Sequence, residues 1–277
     1  MNLLLRVLVA AAGVPAIYFL IRLGSWYLLA FVAAQAALAA NEFYRLAAKK
    51  EIKPLAGLGI PLAAYLPFAA FQAVRYTQDG WLFPAVTLSL VLVTIAVLTV
   101  TRKVEGAIAR ISVTLFGIIY CGALFSCQIP LRMDPFFTAA QGASWLWLAY
   151  LATWSVDVGS YACGSLFGRH KLSLLISPGK TYEGVIGGIL FVVAVSWAYG
   201  SVQAGLFNRL DSVIYGLLIG GAAIAGDLVE SLIKRDAGVK DSSGLLPGHG
   251  GVLDRFDSLL FTVPATLLFR FFFCQAV

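Results

Sequence analysis

Charged side chains are scarce in this sequence. Its 277 residues include 20 lysines and arginines and 14 acids, only 12% of the chain, whereas 60% are hydrophobic. The mean hydropathy of +0.86 excludes a soluble domain. A membrane-spanning helix needs about 20 mostly apolar residues, and we count nine such runs, at residues 7–22, 25–44, 56–74, 81–100, 109–129, 144–164, 182–201, 212–233 and 258–276.

Cysteine and histidine are also rare, and the few present do not cluster. The four cysteines lie in apolar runs without a C-x-x-C pair, so we interpret Cys121, Cys127, Cys163 and Cys274 as small buried hydrophobic residues. Without a cysteine or histidine cluster, any metal site is expected to use carboxylate oxygens, which favour a hard cation. The chain also lacks an internal repeat, a low-complexity tract or a linker long enough to separate domains.

The distribution of lysine and arginine predicts the orientation of the chain. The connections after the second, fourth, sixth and eighth runs carry 4, 3, 3 and 4 of these residues, and each of the other four connections carries one. Under the positive-inside rule, the amino terminus and the even-numbered connections face the cytoplasm, and the carboxyl terminus faces the other side. The net charge of +6 has the same origin, so we expect no nucleic-acid partner. We predict an all-α, polytopic integral membrane protein with about nine transmembrane helices.

The two halves of the chain differ in polar content. Residues 1–140 carry little chemistry and form a predicted scaffold of transmembrane helices. The first run resembles a signal peptide, but a second apolar run follows at once, and we interpret the first as a spanning helix. Glu42 is interpreted as a carboxylate near cations at the end of the second helix, with a polar role within the membrane as the alternative. Residues 141–277 form a predicted catalytic region that includes a motif at 231–257.

A carboxylate lies near the middle of the sixth apolar run. Inserting Asp157 there costs about 2.5–3.5 kcal/mol, so we expect its side chain to face a polar cavity or a cation. Ser160 and Tyr161 follow at helical spacing and share its face. The alternative is a structural carboxylate bonded to a neighbouring helix.

The eighth run ends in a polar stripe. Asp227, Glu230, Ser231 and Lys234 are spaced to lie on one face of an otherwise apolar helix. Glycines at 216, 220, 221 and 226 predict that this helix packs closely against its neighbours.

The stretch from Ser231 to Asp257 concentrates the chain's charge. Its sequence, SLIKRDAGVKDSSGLLPGHGGVLDRFD, holds eight charged residues and one of the two histidines. Charges between apolar segments need water, a metal or a polyanion to stabilise them. A solvated loop that anchors a helix with basic residues is the alternative, but such a loop has no need of alternating acids and bases around a Gly-His-Gly-Gly turn.

This stretch resembles the signature motif of the phosphatidate cytidylyltransferases, the CDP-diacylglycerol synthases. The matching positions are Ser231, Lys234, Arg235, Lys240, Asp241, Leu246, Pro247, His249, Gly250, Gly251, Asp254, Arg255, Phe256 and Asp257. Residues 177–184, SPGKTYEG, resemble the family's second, lysine-containing patch. Gly179-Lys180-Thr181 is also similar to the end of a P-loop, but Leu174 stands where that motif requires its first glycine, which excludes a P-loop.

The resemblance implies that CTP and phosphatidic acid react to give CDP-diacylglycerol and pyrophosphate, for phospholipid biosynthesis. It implies Mg²⁺ as the cofactor, a bacterial inner membrane with the active-site loops in the cytoplasm, and a homodimer. The expected metal ligands are Asp227 and Asp254, with Asp257 or Asp157 as helpers. Expected catalytic residues, which hold phosphates or orient other groups, are Lys234, Arg235, Lys240, Asp241, His249 and Arg255. Expected substrate-binding residues are Ser177, Lys180, Ser231, Gly250 and Gly251.

Two other functions fit parts of the pattern. A CTP-dependent lipid-alcohol kinase would transfer the γ-phosphate and would need a base for its alcohol, and the complete motif counts against it. A cation-coupled transporter would use Asp157 and Asp227 along an ion path. No inverted repeat supports a transporter, and two glycine-containing polar loops are unnecessary for it.

Overall fold

The structure is a computed structural model that describes residues 3–76, 82–100, 104–203, 208–245, 248 and 250–273. The chain divides into two compact units. Unit 1 comprises Met1–Pro135 and Asp236–Phe256, and unit 2 comprises Phe136–Arg235 and Asp257–Val277. The predicted scaffold at 1–140 and the predicted catalytic region at 141–277 are defined by function and not by packing. That division stays a prediction.

Helices dominate the described residues, as the long apolar runs require. In chain order they are α1 (Leu3–Leu23), α2 (Ser25–Ala48), α3 (Ala56–Arg75), α4 (Leu82–Val100), α5 (Ala107–Gly117), a π-helical segment (Ile118–Ala123), α6 (Leu124–Ser126), α7 (Gln128–Met133), α8 (Ala139–Phe167), α9 (Tyr182–Val202), α10 (Arg209–Asp236), α11 (Leu253–Phe256) and α12 (Leu259–Phe273). Two short antiparallel strands, β1 (Lys171–Ser173) and β2 (Ser177–Thr181), lie between α8 and α9.

Unit 1 is held together by buried polar contacts within an apolar core. The Tyr44 hydroxyl on α2 donates to the backbone oxygen of Thr114 at 2.7 Å. Gln128 Nε2 donates to Gln35 Oε1 at 2.9 Å, and both side chains are buried. Arg132 Nε donates to the carbonyl of Ile21 at 2.7 Å. Satisfying these groups internally is obligatory in an apolar surrounding, because an unpaired buried polar group costs several kcal/mol, on the order of 2–7.

Unit 2 packs α8, α9, α10 and α12 through small residues and hydroxyls. A Cβ on Gly159 of α8 would lie 2.7 Å from Phe191 Cβ of α9, and one on Gly216 of α10 would lie 2.6 Å from Val193 Cα. These approaches confirm that the glycines allow close helix packing. Gly221 differs from the prediction, because a Cβ there would meet nothing within 4 Å. The Thr153 and Thr262 hydroxyls share a 2.7 Å hydrogen bond between α8 and α12.

The helical, membrane-embedded character is confirmed. Each of the nine predicted runs contains helix in the described residues. Five described helical stretches have the length and hydropathy needed to cross a membrane, namely Ala56–Arg75, Ala107–Met133, Tyr182–Val202, Arg209–Asp236 and Leu253–Phe273. The count of nine spans and the orientation of the loops stay predictions.

Two boundaries differ from expectation. The second helix continues to Ala48 instead of ending near residue 44, so Glu42 lies inside it. The connection at 169–180 is a β-hairpin in which Lys171 pairs with Thr181 and Ser173 with Ser177. Burial does not alternate regularly along either strand, since Gly179 and its neighbour Pro178 are both exposed and only Thr181 is fully buried.

Candidate active site

A cavity of about 330 Å³ opens within unit 2. Polar residues from α8, β2 and α10 line it beside apolar ones, and they include Asp157, Ser160, Lys180, Thr181 and Asp227. The sequence predicted that Asp157 faces a polar cavity or a cation, and its side chain does line this cavity. Ser160, on the same face, lines it as well.

Lys180 and Asp227 form an ion pair in the cavity wall. Lys180 Nζ contacts Asp227 Oδ2, and about a quarter of each side chain is exposed. Ser231 Oγ donates to the other carboxylate oxygen of Asp227 at 3.2 Å. The hairpin strand β2 therefore presents its lysine to the polar stripe of α10, a pairing of distant segments that the sequence did not predict.

The hairpin keeps Lys180 in position from both ends. Thr181 caps the amino end of α9 by accepting a hydrogen bond from the backbone N–H of Gly184 at 3.1 Å, a favourable arrangement at a helix start. Arg235 Nε at the end of α10 donates to the carbonyl of Ile176 at 3.2 Å. Ser177 lies half-buried at the start of β2. Glu183 Oε2 accepts from the backbone N–H of His170 at 3.2 Å.

Other charged groups of unit 2 surround this pair. Lys234 Nζ lies 2.5 Å from Glu230 Oε2, whose side chain is completely buried on α10. Asp257, which precedes α12, interacts electrostatically with Asp227, Asp157 and Lys234. Four carboxylates and two lysines thus lie in unit 2 as interacting charges, and each lysine offsets part of the negative charge of the acids.

A second polar group lies in unit 1, in the motif loop, which we define as residues 240–256. Asp254 Oδ2 accepts hydrogen bonds from the backbone N–H of Ser242 at 2.9 Å, the Ser242 hydroxyl at 2.8 Å and the N–H of Gly251 at 2.7 Å. This oxygen therefore holds the loop in shape. Asp227 and Asp254 belong to different compact units, and their pairing as metal ligands stays a prediction.

Two positions of the motif loop require glycine for structural reasons. Gly250 has a φ of +81°, in the left-handed region that disfavours side chains. A Cβ on Gly250 would lie 2.7 Å from Asp254 Oδ2, and one on Gly251 would collide with Ser242 Oγ and Glu42 Oε2. Both glycines thus let the backbone approach a carboxylate, and their predicted role in substrate binding stays untested.

Three charged residues of the motif lie at the surface. Lys240, Asp241 and Arg255 are exposed. His249 lies outside the described residues, so both its predicted roles, binding a phosphate or fixing the loop, stay open.

Glu42 is the residue that the sequence interpretation placed incorrectly. It is not a helix-end carboxylate near cations but a buried one, 2% exposed, on the inner face of α2. Its oxygens accept hydrogen bonds from the motif loop, 200 residues further along the chain. The apolar spacing of Val32, Ala36 and Ala39 puts Glu42 on their face of the helix, and this signal would have found it.

The donor set is suited to a hard divalent cation. Among the described residues, no group of three or more His, Cys, Asp or Glu side chains has the arrangement of a metal site. Mg²⁺ is usually held by one or two carboxylates together with substrate phosphates. The acids of unit 2 fit such a partial site.

Comparison with known proteins identifies the family. Residues 4–273 match the model of the cytidylyltransferase family. The chain belongs to this family.

Relatives extend the similarity over most of the sequence. A Synechocystis protein named phosphatidate cytidylyltransferase is 34% identical over 95% of each chain. A protein of the same name from Staphylococcus saprophyticus is 35% identical over 86% of this chain and 85% of its own length. The uncharacterized Escherichia coli protein YnbB is 43% identical over 61% of this chain and 57% of its own. The cavity of unit 2 and the motif loop both lie within the range that the family model matches.

Proposed function

We propose that this protein is a phosphatidate cytidylyltransferase, which joins CTP and phosphatidic acid to give CDP-diacylglycerol and pyrophosphate. The observation that carries the proposal is the similarity to the Synechocystis phosphatidate cytidylyltransferase along 95% of both chains. Because this similarity covers nearly the whole sequence, it includes both groups of polar residues. The cavity lined by Lys180 and Asp227 supports the proposal with a site suited to phosphates and a cation.

The reaction needs electrostatic stabilisation more than a base. The second pKa of a phosphate monoester is about 6, so the phosphate of phosphatidic acid is already ionised at neutral pH. One of its oxygens attacks the α-phosphorus of CTP, a new P–O bond forms, and the bond to the β-phosphate breaks with release of pyrophosphate. Phosphoryl transfers of this kind depend on positioning and charge neutralisation.

Cationic side chains would neutralise the phosphates. We assign Lys180, Lys234 and Arg235 of unit 2 to this role, together with Lys240 and Arg255 of the motif loop. The ion pair between Lys180 and Asp227 keeps the ammonium group extended toward the cavity before substrate binds. Phosphate oxygens would then compete with the Asp227 carboxylate for Lys180.

Mg²⁺ is the cofactor that these residues suit. We assign Asp227 and Asp254 as its main ligands and Asp257 and Asp157 as helpers. A bound divalent cation supplies charge neutralisation at the α-phosphate and at the leaving pyrophosphate. The release of Asp227 from Lys180 would make its carboxylate available to the metal.

The membrane topology completes the proposal. Nine spans follow from the nine apolar runs, and a cytoplasmic amino terminus and cytoplasmic polar loops follow from the distribution of lysine and arginine. The location would be the inner membrane of a bacterium, where both a water-soluble nucleotide and a lipid reach the loops. The homodimer that the resemblance implies stays a prediction.

Product analysis with two acceptors tests the proposed function. Purified protein in phospholipid micelles receives CTP and Mg²⁺ with either phosphatidic acid or diacylglycerol. We expect CDP-diacylglycerol by mass spectrometry and an equal amount of pyrophosphate from phosphatidic acid, and no lipid product from diacylglycerol. Formation of phosphatidic acid from diacylglycerol would instead identify a lipid-alcohol kinase and contradict the proposal.

A further inference from the structure

Glu42 connects α2 to the motif loop through an unusually complete set of hydrogen bonds. Its Oε1 accepts from the Ser243 hydroxyl at 2.6 Å and from the backbone N–H of Val252 at 3.0 Å. Its Oε2 accepts from the N–H of Leu253 at 2.7 Å and lies 3.1 Å from the Ser242 hydroxyl. An ionised carboxylate has about four acceptor positions. The Ser243 hydroxyl and the amides of Val252 and Leu253 use three of them, and the Ser242 hydroxyl, whose one proton serves either Glu42 or Asp254, lies beside the fourth.

The bonds lie on both sides of the glycine turn. Ser242 and Ser243 precede the turn, and the amides of Val252 and Leu253 follow it. Glu42 therefore holds the two ends of the turn together, and charge-assisted hydrogen bonds of this type are roughly twice as strong as neutral ones. A loop with these contacts missing would have to find new partners for at least three donors, the Ser243 hydroxyl and the amides of Val252 and Leu253, in an apolar region.

The contacts lead directly to residues assigned to the reaction. Leu253, whose N–H binds Glu42, is the first residue of α11, and Asp254 and Arg255 follow it in the same short helix. Ser242 Oγ is 2.8 Å from Asp254 Oδ2 as well as 3.1 Å from Glu42 Oε2. The hydroxyl thus lies between the two carboxylates, so a movement of Glu42 would also change the surroundings of Asp254.

Gly251 shows how closely the loop approaches Glu42. This glycine is buried, and any side chain there would overlap Glu42 Oε2 and Ser242 Oγ. The need for a glycine at this position follows from the carboxylate behind it as well as from substrate access.

We propose that Glu42 is a positioning residue for the nucleotidyl transfer, which fixes the motif loop so that Asp254 and Arg255 are held ready for Mg²⁺ and phosphate. The proposal rests on the proposed function, since it assigns Glu42 to the same reaction. Glu42 touches neither substrate nor metal in this account. Its effect passes through the residues that it contacts, Ser242, Ser243, Val252 and Leu253.

Glu42→Gln is the principal test. Glutamine keeps the size of the side chain but replaces one acceptor oxygen with an NH₂ donor, which would face donors of the loop. Removing an outer-shell partner of a metal site typically lowers activity by about 10–100-fold, and we expect kcat to fall within that range. The Mg²⁺ concentration for half-maximal rate should rise, because the loop that positions Asp254 is held less firmly.

Gln35→Ala provides the matched control. Gln35 lies two turns earlier on α2, is 3% exposed, and its loss leaves the buried Gln128 amide without this partner. It disturbs the same helix at a side chain that accepts a hydrogen bond from α7. We expect Gln35→Ala to lower the thermal unfolding midpoint while kcat and the Mg²⁺ dependence stay within about twofold of wild type.

Hydrogen–deuterium exchange of wild type and both variants gives a readout independent of turnover. We expect the amides of Val252 and Leu253 to exchange faster in Glu42→Gln and at the wild-type rate in Gln35→Ala. Should Glu42→Gln fail to fold, Ser243→Ala removes only the 2.6 Å bond and should produce the same changes at smaller amplitude.

Two results would overturn the positioning role. The first is a wild-type kcat and unchanged exchange at 252–253 in Glu42→Gln, or in Ser243→Ala where it is used instead. The second is an equal loss of kcat in Gln35→Ala, which would show general destabilisation of α2. Failure of the proposed function is distinct from both, because wild-type protein would then form no CDP-diacylglycerol, while exchange at the two amides would still show whether Glu42 holds the loop.

Discussion

Gly226 marks the closest approach of α10 to the start of α12. A Cβ at this position would lie 2.8 Å from the carbonyl oxygen of Asp257, 2.9 Å from Ser258 Cα and 3.0 Å from a ring carbon of Phe261. Two of these three atoms are backbone, so the clash cannot be relieved by turning a side chain. We predict that Gly226→Ala forces the segment carrying Asp257 away from α10.

The size of the effect follows from comparison with Gly221→Ala on the same helix. Alanine is about 0.8–1.0 kcal/mol more favourable than glycine inside a helix, and both variants share this gain. At Gly221 the new methyl meets nothing within 4 Å. At Gly226 overpacking costs about 1–3 kcal/mol. The free energy of unfolding of Gly226→Ala should therefore be lower than that of Gly221→Ala by this amount.

Thermal unfolding in detergent measures the difference. At about 2–4 °C per kcal/mol for a chain of this order of size, Gly226→Ala should melt about 2–12 °C below Gly221→Ala. Its activity should also fall, because Asp257 adjoins the clash, whereas Gly221→Ala should retain wild-type activity. Equal melting temperatures and equal activities would refute the close packing of α10 on the start of α12.

Two further predictions concern the charged residues. Asp227→Asn keeps the shape of the side chain but removes the charge that binds Lys180 and the proposed metal. We expect kcat to fall by at least about 100-fold, while the melting temperature of the purified protein stays within a few degrees of wild type. Near-normal turnover across a Mg²⁺ titration would exclude Asp227 as a ligand. Lys240→Cys, made in a variant whose native cysteines are replaced, should react with a membrane-impermeant maleimide only after the cells are opened. Labelling in intact cells would contradict the cytoplasmic orientation of the motif loop.

The sequence predicted well what depends on local pattern. Long apolar runs require helices in a membrane, because only internal hydrogen bonds satisfy the backbone there, and helices do lie in all nine runs. The spacing of Asp227 and Ser231 placed both on one face of α10, where their side chains share a hydrogen bond. The cost of a carboxylate in an apolar run likewise predicted that Asp157 faces a polar cavity.

Contacts between distant segments were not predictable in this way. Nothing in the local sequence pairs Lys180 with Asp227, and nothing pairs Glu42 with residues 242–253. Glu42 was misread because three cations follow it on the chain, whereas its actual partners are two amides and two hydroxyls brought near by tertiary packing. The hairpin at 171–181 escaped notice because its strands are only three and five residues long and carry no clear alternation.

The fate of the CTP phosphates tests the central claim most directly. Purified protein would receive phosphatidic acid, Mg²⁺ and CTP labelled at either the α- or the γ-phosphate. We expect α-label to enter the lipid and γ-label to leave only as pyrophosphate, and we expect EDTA to stop both. Label from the γ-position in lipid, with none from the α-position, would contradict nucleotidyl transfer and show that the chain is a kinase.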